Sequence, residues 1–293
     1  MISGITVKNR SVREPVMRWV FTVSALTAVL AVGLICVFLF AGGFPAIGKI
    51  GVLKFLTGTV WKPTYDDFGI LPMIVGSLYV TAGAILLGVP VGIFAAVFMA
   101  KVCPKPLYGF MKPALDLLAG IPSVVYGFFG IVVLVPFVRN TFGGDGSSMV
   151  TASLLLGIMI LPTVIGITES ALRAVPDELY EGAVALGASH ERAVFGVVLP
   201  AAKSGVMAAV VLGVGRAIGE TMAVKMVAGN QTVLRAPDEF LKGVRTLTAN
   251  VVLEMGYAEG LHREALIATG VVLFVFILLI NLLFSALKKE RTE

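Results

Sequence analysis

The chain has 293 residues, of which 57% are hydrophobic and only 14% are charged. Its mean hydropathy of +0.95 lies outside the usual range of soluble domains, which excludes an ordinary soluble protein. The net charge of +5 comes without an arginine-rich face interleaved with aromatic residues, so nucleic-acid binding is excluded as well. The composition predicts an all-α membrane protein.

Long charge-free apolar runs predict the membrane-spanning helices. About 20 apolar residues are needed to cross a hydrocarbon core roughly 30 Å thick. Five runs meet this requirement: 19–48, 68–100, 117–138, 146–168 and 265–287. A sixth run, 204–229, is long enough but is interrupted by Arg216, Glu220 and Lys225. The sequence therefore predicts six transmembrane helices, and the fifth of them in chain order carries charges.

The distribution of lysine and arginine among the loops predicts the orientation of the chain. The segments on one side of a six-span topology hold 13 of these residues, and those on the other side hold eight. The side with 13 includes both terminal tails, so both termini are expected to be cytoplasmic. Residues 1–67 are expected to form the N-terminal tail, the first helix and an external loop. Residues 68–293 are expected to form a core of five transmembrane helices.

No site for ATP, a metal or another cofactor is predicted. Residues 43–50, GFPAIGKI, have the glycine and lysine spacing of a P-loop, but Ile50 stands where a serine or threonine would hold magnesium. The two cysteines are expected to be packing residues, and His190 and His262 are assigned to opposite faces of the membrane. Any uphill transport therefore needs energy from another subunit.

The loop at residues 175–200 is predicted to fold as two short helices joined at a glycine. Pro176 suits the first helical position, and the acidic residues that follow it are favoured there by the helix dipole. Gly187 is expected to end this helix in a left-handed conformation, and Ser189 to cap a second helix that runs through Val198. Such an elbow presents small apolar side chains that fit a groove on a partner. An ordinary amphipathic connector is the alternative.

This loop and two other stretches resemble the permeases of ABC importers. The spacing of their EAA loop is kept by six residues: Glu181, Ala183, Gly187, Val197, Leu199 and Pro200. Gly182 and Val197 depart from that pattern by small changes. AGIPSVVYGFFG at 119–130, and GRAIGETMAV at 215–224 followed by AGN, resemble the phosphate-importer permeases of the PstC type. The resemblance covers most of the chain from about Phe68 onward.

The resemblance implies a type I ABC-importer permease fold and a transport subunit that is not itself an enzyme. It implies a homologous second permease subunit, a cytoplasmic ATPase dimer, an external phosphate-binding protein and the lipid of the plasma (inner) membrane as partners. The six residues of the EAA pattern are then the residues that couple the ATPase to the permease. A permease for another oxyanion, such as molybdate or sulfate, is one alternative. An ATPase-independent channel is another, against which the EAA spacing argues.

Two charged residues inside the fifth predicted span are expected to lie in the substrate pathway. Arg216 is expected near the bilayer midplane, and Glu220 one turn further on, on the same helix face. A charge at the midplane costs several kcal/mol, so it should face a wet cavity or a partner. Arg216 offers a planar fork of donors for phosphate oxygens, and Glu220 is expected to neutralise it when no substrate is bound. The alternative is a structural ion pair that joins two helices.

Small residues on the same span predict close helix packing. They recur at four-residue spacing in two sets, Gly205, Ala209 and Gly213, and Gly215, Gly219 and Ala223. The span is therefore expected to lie against the second permease. Lys225 is expected to extend to the external interface and not into the pathway.

Overall fold

The computed structural model describes the backbone of residues 13–289 and the side chains of residues 15–282. Five of its helical segments are long and apolar enough to cross a membrane: Pro15–Ile50, Leu71–Val102, Ser123–Phe142, Met149–Arg173 and Gly260–Leu282. A further apolar pair, His190–Ala201 and Lys203–Gly219, is bent by 70° at its junction. The predicted all-α architecture with six spans agrees with these five segments and the bent pair.

The elements before the loop at 175–200 include the first four spans and the short segments between them. In chain order they are α1 (Arg13–Ile50), α2 (Val52–Thr57), β1 (Trp61–Lys62), β2 (Asp67–Phe68), α3 (Leu71–Val97), α4 (Lys105–Gly120), α5 (Ser123–Phe129), α6 (Val135–Phe142) and α7 (Met149–Arg173). The two strands pair as an antiparallel hairpin. One π-helical turn extends α3 to Val102, and another at Gly130–Leu134 joins α5 to α6.

The remaining elements form the loop and the last two spans. They are α8 (Asp177–Ala185), α9 (His190–Ala193), α10 (Leu199–Ala201), α11 (Lys203–Gly219), α12 (Met222–Val227), α13 (Leu247–Glu254) and α14 (Gly260–Lys289). A π-helical turn at Val194–Val198 joins α9 to α10. The 17 residues of α11 cover about 25 Å at 1.5 Å per residue. The fifth span therefore needs α12 to cross the hydrocarbon core.

The third span begins later than the sequence predicts. The apolar run covers 117–138, but residues 117–120 belong to α4, and the span runs from Ser123 to Phe142. Ile121 and Pro122 have extended backbones, with ψ of 127° and 141°. A residue that precedes proline is disfavoured in the helical region, which explains the break.

The centre of the molecule is the contact between α3 and α7, which glycines allow to approach closely. A Cβ on Gly88 would lie 2.7 Å from the carbonyl oxygen of Gly157, and one on Gly92 would lie 2.7 Å from Val164. Helix α11 packs on the same side of α7 through Gly213, where a Cβ would lie 3.1 Å from Val164. Small residues of this kind are the usual means by which membrane helices pack. Helix α11, the main part of the fifth span, is thus held against the packed pair of α3 and α7.

Helix α1 makes few contacts with the rest of the chain along most of its length. Its C-terminal part packs on α14, where a Cβ on Gly43 would lie 3.0 Å from the Cα of Ala268. Further toward its N-terminus, Trp19 is 71% exposed and Leu34 is 73% exposed. Apolar side chains in such number require lipid or another subunit around them.

Candidate functional site

The loop at 175–200 folds as the predicted elbow. Helix α8 ends at Ala185 with Leu186 as its C-cap, Gly187 follows with φ of 87°, and the Ser189 hydroxyl accepts a hydrogen bond from the Arg192 N–H at 3.4 Å. The second arm reaches Val198 through α9 and a π-helical turn, as predicted. A hydrogen bond of 2.8 Å between the Tyr180 hydroxyl and a ring nitrogen of His190 joins the two arms. The elbow is therefore a defined unit and not a loose connector.

The first arm and the tip of the elbow expose apolar side chains. Leu186 is 92% exposed, and Leu179 and Val184 are also exposed. Of the six EAA residues, Glu181, Gly187 and Pro200 are exposed, whereas Ala183, Val197 and Leu199 are partly buried. The sequence interpretation named small residues only and missed Leu186, although its place directly before the turn glycine was a usable signal. Exposed apolar side chains outside the membrane spans make the elbow a candidate docking surface.

The fifth span is interrupted at Glu220, so the prediction of one continuous helix over 204–229 is wrong. Helix α11 ends at Gly219, and Glu220 has an extended backbone with ψ of 126°. The Glu220 carboxylate accepts hydrogen bonds from the N–H groups of Thr221 at 3.1 Å and Ala223 at 3.2 Å. These amides therefore have a side-chain partner in place of the carbonyls of α11, which explains the break.

Arg216 and Glu220 do not share a helix face and do not contact each other. Among the side chains that the structure describes, Arg216 forms no ion pair, and its Nη1 donates to the Thr163 hydroxyl at 3.0 Å. The carbonyl of Glu220 accepts a hydrogen bond from the Thr248 hydroxyl at 3.2 Å. Neither the predicted neutralisation of Arg216 by Glu220 nor the alternative of a direct ion pair between them is seen. Both residues are partly buried.

Hydroxyl groups line a small cavity next to Glu220, where the fifth span is interrupted. Ser77, Thr81, Thr246 and Thr248 surround it together with Glu220. The Ser77 hydroxyl accepts the N–H of Leu247 at 2.9 Å, and the hydroxyls of Thr246 and Thr248 lie 3.1 Å apart. The cavity gives Glu220 polar surroundings inside an apolar bundle. Sequence analysis missed these residues because they come from two segments far apart in the chain.

One face of α11 is uncovered in the single chain. Gly205 and Gly213 do not lie on it, since they pack against α7, where a Cβ on Gly205 would lie 2.3 Å from the Ala171 Cβ. This first set of small residues therefore packs within the chain, and the prediction that the span lies against a second permease rests on the other set. A Cβ added at Gly215 or Gly219 would have no atom within 4 Å, apart from its own helix and chain neighbours. The uncovered face thus lies beside Arg216.

A buried polar cluster of Trp61, Arg245, Asn250, Glu254 and His262, the Glu254 cluster, lies on the opposite side of the molecule from the elbow. The Glu254 carboxylate accepts hydrogen bonds from Trp61 Nε1 at 2.8 Å, from His262 Nε2 at 2.9 Å and from Arg245 Nη1. Arg245 also donates to Asn250 Oδ1 at 3.0 Å. Burial alone raises the pKa of the Glu254 carboxyl, but the hydrogen bonds outweigh burial and hold this pKa below its ordinary value.

Acid is expected to loosen the Glu254 cluster. Because the pKa is lower in the folded state, the stabilisation by Glu254 is fully present above the unfolded pKa of about 4.3 and is lost as the pH falls through the folded pKa. The protection factors of the α13 amides, which are corrected for the intrinsic pH dependence of exchange, should therefore be lower at about pH 3 than at pH 7. Glu254→Gln should show low protection factors at pH 7 already. Equal wild-type protection at both pH values would count against this account.

The fold and the site together define a class of protein. A bundle of membrane spans carries a rigid apolar elbow on one side and, within a broken span, an arginine beside an uncovered helix face. This combination is that of a membrane component of a transporter that docks other subunits. In agreement, the chain belongs to the family described as binding-protein-dependent transport system inner membrane component, whose model matches residues 88–292. The chain is thus a multi-pass transport subunit of the inner membrane and not an enzyme.

Relatives of known name are similar over nearly the whole chain. The probable ABC transporter permease protein YqgH of Bacillus subtilis is 39% identical over 96% of this chain and 94% of its own length. The phosphate transport system permease protein PstC of Mesorhizobium japonicum is 35% identical over 94% of this chain and 90% of its own length. The phosphate transport system permease protein PstC of Haemophilus influenzae is 30% identical over 97% of this chain and 96% of its own length.

Solved structures show the fold. A chain of the MetNI methionine ABC transporter in an inward-facing conformation matches with a TM-score of 0.61 at 19% identity, covering 79% of this chain and 99% of that chain. A chain of an amino acid ABC transporter matches with a TM-score of 0.55, covering 75% of this chain and 93% of that chain. The predicted type I ABC-importer permease fold is confirmed.

Proposed function

We propose that the chain is the permease subunit through which an ATP-driven importer moves inorganic phosphate across the plasma (inner) membrane. The proposal rests on how the relatives of this chain are named. Proteins that are 30% and 35% identical over more than nine-tenths of the chain are called phosphate transport system permease proteins. Residues 68–293 form the permease core in this proposal, and residues 1–67 contribute the N-terminal tail, the first span and an external loop.

The arrangement of the partners follows from the two sides of the molecule. The elbow faces the cytoplasm, with both termini, and docks an ATPase dimer through Leu186 and the six EAA residues. The excess of lysine and arginine on that side, 13 against eight, supports this orientation. A homologous second permease covers the face of α11 at Gly215 and Gly219. An external phosphate-binding protein docks on the side of the Glu254 cluster.

Arg216 and Glu220 lie in the substrate pathway in this proposal. A guanidinium has five N–H donors, and the hydrogen bond to Thr163 uses one of them, so donors remain for phosphate oxygens. Glu220 is held by the amides of Thr221 and Ala223, and so it leaves the Arg216 charge available to an anion. The nearby Glu220 carboxylate also weakens the binding of the anion at Arg216 by repulsion, which favours release, and a conduit needs release as much as entry.

Uptake of labelled phosphate by cells tests the proposal. In a strain whose other phosphate transporters are deleted, uptake should depend on this chain and should stop when ATP is depleted. A large excess of sulfate or molybdate should not compete. Equal competition by either anion would assign another oxyanion, and uptake that continues without ATP would assign a channel.

A further inference from the structure

A buried glutamate holds the amphipathic helix α4 against the end of α7. Glu169 is 2% exposed and lies one turn before α7 ends. Its Oε1 accepts hydrogen bonds from the Tyr108 hydroxyl at 2.7 Å and from Arg173 Nε at 2.8 Å, and its Oε2 accepts one from Lys112 Nζ at 3.2 Å. Removing one partner from a buried ionic contact is strongly unfavourable. The position of α4 therefore depends on this carboxylate.

The Glu169 cluster, which consists of Tyr108, Lys112, Glu169 and Arg173, is joined to the end of the second span. Arg173 Nη2 donates to the carbonyl of Met99 at 3.0 Å. The guanidinium of Arg173 also lies over the Tyr108 ring, 4.6 Å from its centroid. Arg173 therefore contacts α4, α7 and the extension of α3 at the same time.

The same region is packed onto the elbow. Lys101 Nζ lies 3.6 Å from a carboxylate oxygen of Asp177, the first residue of α8. A single apolar cluster joins the ends of the second and fourth spans to the second arm of the elbow: Val97, Met99, Leu172, Val175, Val194 and Val198. Tyr108 packs at the edge of this cluster. The elbow and α4 therefore pack on the same apolar cluster.

From α4 the contacts continue to the break in the fifth span. The Tyr126 hydroxyl donates to the carbonyl of Leu118 at 2.8 Å, which closes the bend between α4 and α5. On α5, Gly127 lies so close to α12 that a Cβ would be 3.1 Å from the Cα of Ala223. Ala223 is the residue whose N–H is bound by Glu220. A continuous chain of contacts therefore leads from the elbow through α4 to Glu220.

We propose that Glu169 is a positioning residue for energy coupling: it makes α4 move as one body with the elbow and thereby transmits the motion of the ATPase to the break at Glu220. Coupling between distant sites is carried by packed side chains, hydrogen-bond networks and rigid elements of this kind. The inference rests on the proposed function, because it requires an ATPase docked at the elbow.

The ratio of phosphate transported to ATP hydrolysed tests the role of Glu169. Glu169→Gln and Tyr108→Phe are assembled with the second permease and the ATPase in proteoliposomes, and the external phosphate-binding protein is supplied on the opposite side from ATP. ATP hydrolysis should persist, while the ratio should fall about tenfold, as expected when a hydrogen bond to a charged group is lost. The exposed residues Glu259 and Tyr65 provide matched controls, since Glu259→Gln and Tyr65→Phe should leave the ratio unchanged. An unchanged ratio in Glu169→Gln would overturn the proposal.

A distance measurement keeps the proposal testable if Glu169→Gln does not assemble. Spin labels are placed at Phe110 on α4 and at Glu178 on α8 of the elbow, both exposed, in a chain in which Cys36 and Cys103 are replaced by serine. The distance between the labels should be the same in the nucleotide-free and vanadate-trapped complexes. A distance that changes between these states would overturn the proposal. Failure of the unaltered complex to transport phosphate would instead refute the proposed function.

Discussion

Replacing Arg216 by lysine or by alanine is expected to reduce phosphate uptake at least about thirtyfold, because losing a charge-assisted contact costs about 2 kcal/mol or more. Lysine keeps the charge but loses the planar fork that matches phosphate oxygens. Since Arg216 forms no ion pair among the described side chains, its removal leaves no buried carboxylate without a partner. The abundance of the assembled complex should therefore stay unchanged, and both uptake and abundance are measured for each variant.

Substitutions at Thr163 and Glu220 separate a role in transport from a role in assembly. Thr163→Val removes the hydrogen bond to Arg216 and should lower uptake, whereas Thr163→Ser keeps the hydroxyl and should preserve it. Glu220→Gln should also impair uptake, because it removes the negative charge that favours release of the anion. If Arg216→Ala leaves uptake intact, or if lost uptake merely follows lost complex, Arg216 is not a substrate contact.

Replacing Gly187 by valine is expected to weaken ATPase docking or to uncouple ATP hydrolysis from uptake. Gly187 has φ of 87°, and left-handed backbone costs a residue with a side chain about 1–2 kcal/mol, with β-branched residues the least tolerant. The space around it is open, since no atom lies within 4 Å of an added Cβ. The effect therefore comes from the backbone, which carries Leu186 at the tip of the elbow. Co-purification of the ATPase and the transport ratio measure it.

Two further substitutions control for general effects of removing a glycine. Gly187→Asn should be less harmful than Gly187→Val, because asparagine tolerates the left-handed conformation. Gly166→Ala, at an open helical position on α7, should change neither docking nor transport. Normal uptake and normal assembly in Gly187→Val would show that the elbow does not transmit the motion of the ATPase.

Features with a local physical cause were predicted from the sequence. The elbow depends on Pro176, Gly187 and Ser189, each of which acts on its own backbone or on a neighbour within a few residues. The spans depend on hydropathy, which requires no knowledge of contacts. The break before the third span could also have been predicted, because Ile121 precedes Pro122 and proline disfavours helix at the preceding residue.

Features that depend on competition or on distant contacts were not predicted. Spacing alone placed Glu220 one helical turn beyond Arg216, but its carboxylate binds two amides and interrupts that helix. The hydroxyl-lined cavity brings Ser77 next to Thr246, and the Glu169 cluster brings Tyr108 next to α7. Such pairings arise from tertiary packing and leave no periodic signal in the sequence. The candidate site was therefore predicted by residue type but not by geometry.

Phosphate accumulation in proteoliposomes is the most direct measurement of whether this chain is a phosphate permease. The purified chain is reconstituted with the second permease and the ATPase, and the external binding protein is supplied on the opposite side from ATP. Labelled phosphate should accumulate against its gradient only when ATP and the binding protein are both present, and Arg216→Ala should abolish the accumulation. Accumulation of sulfate or molybdate in place of phosphate, or phosphate flux that does not require ATP, would contradict this assignment.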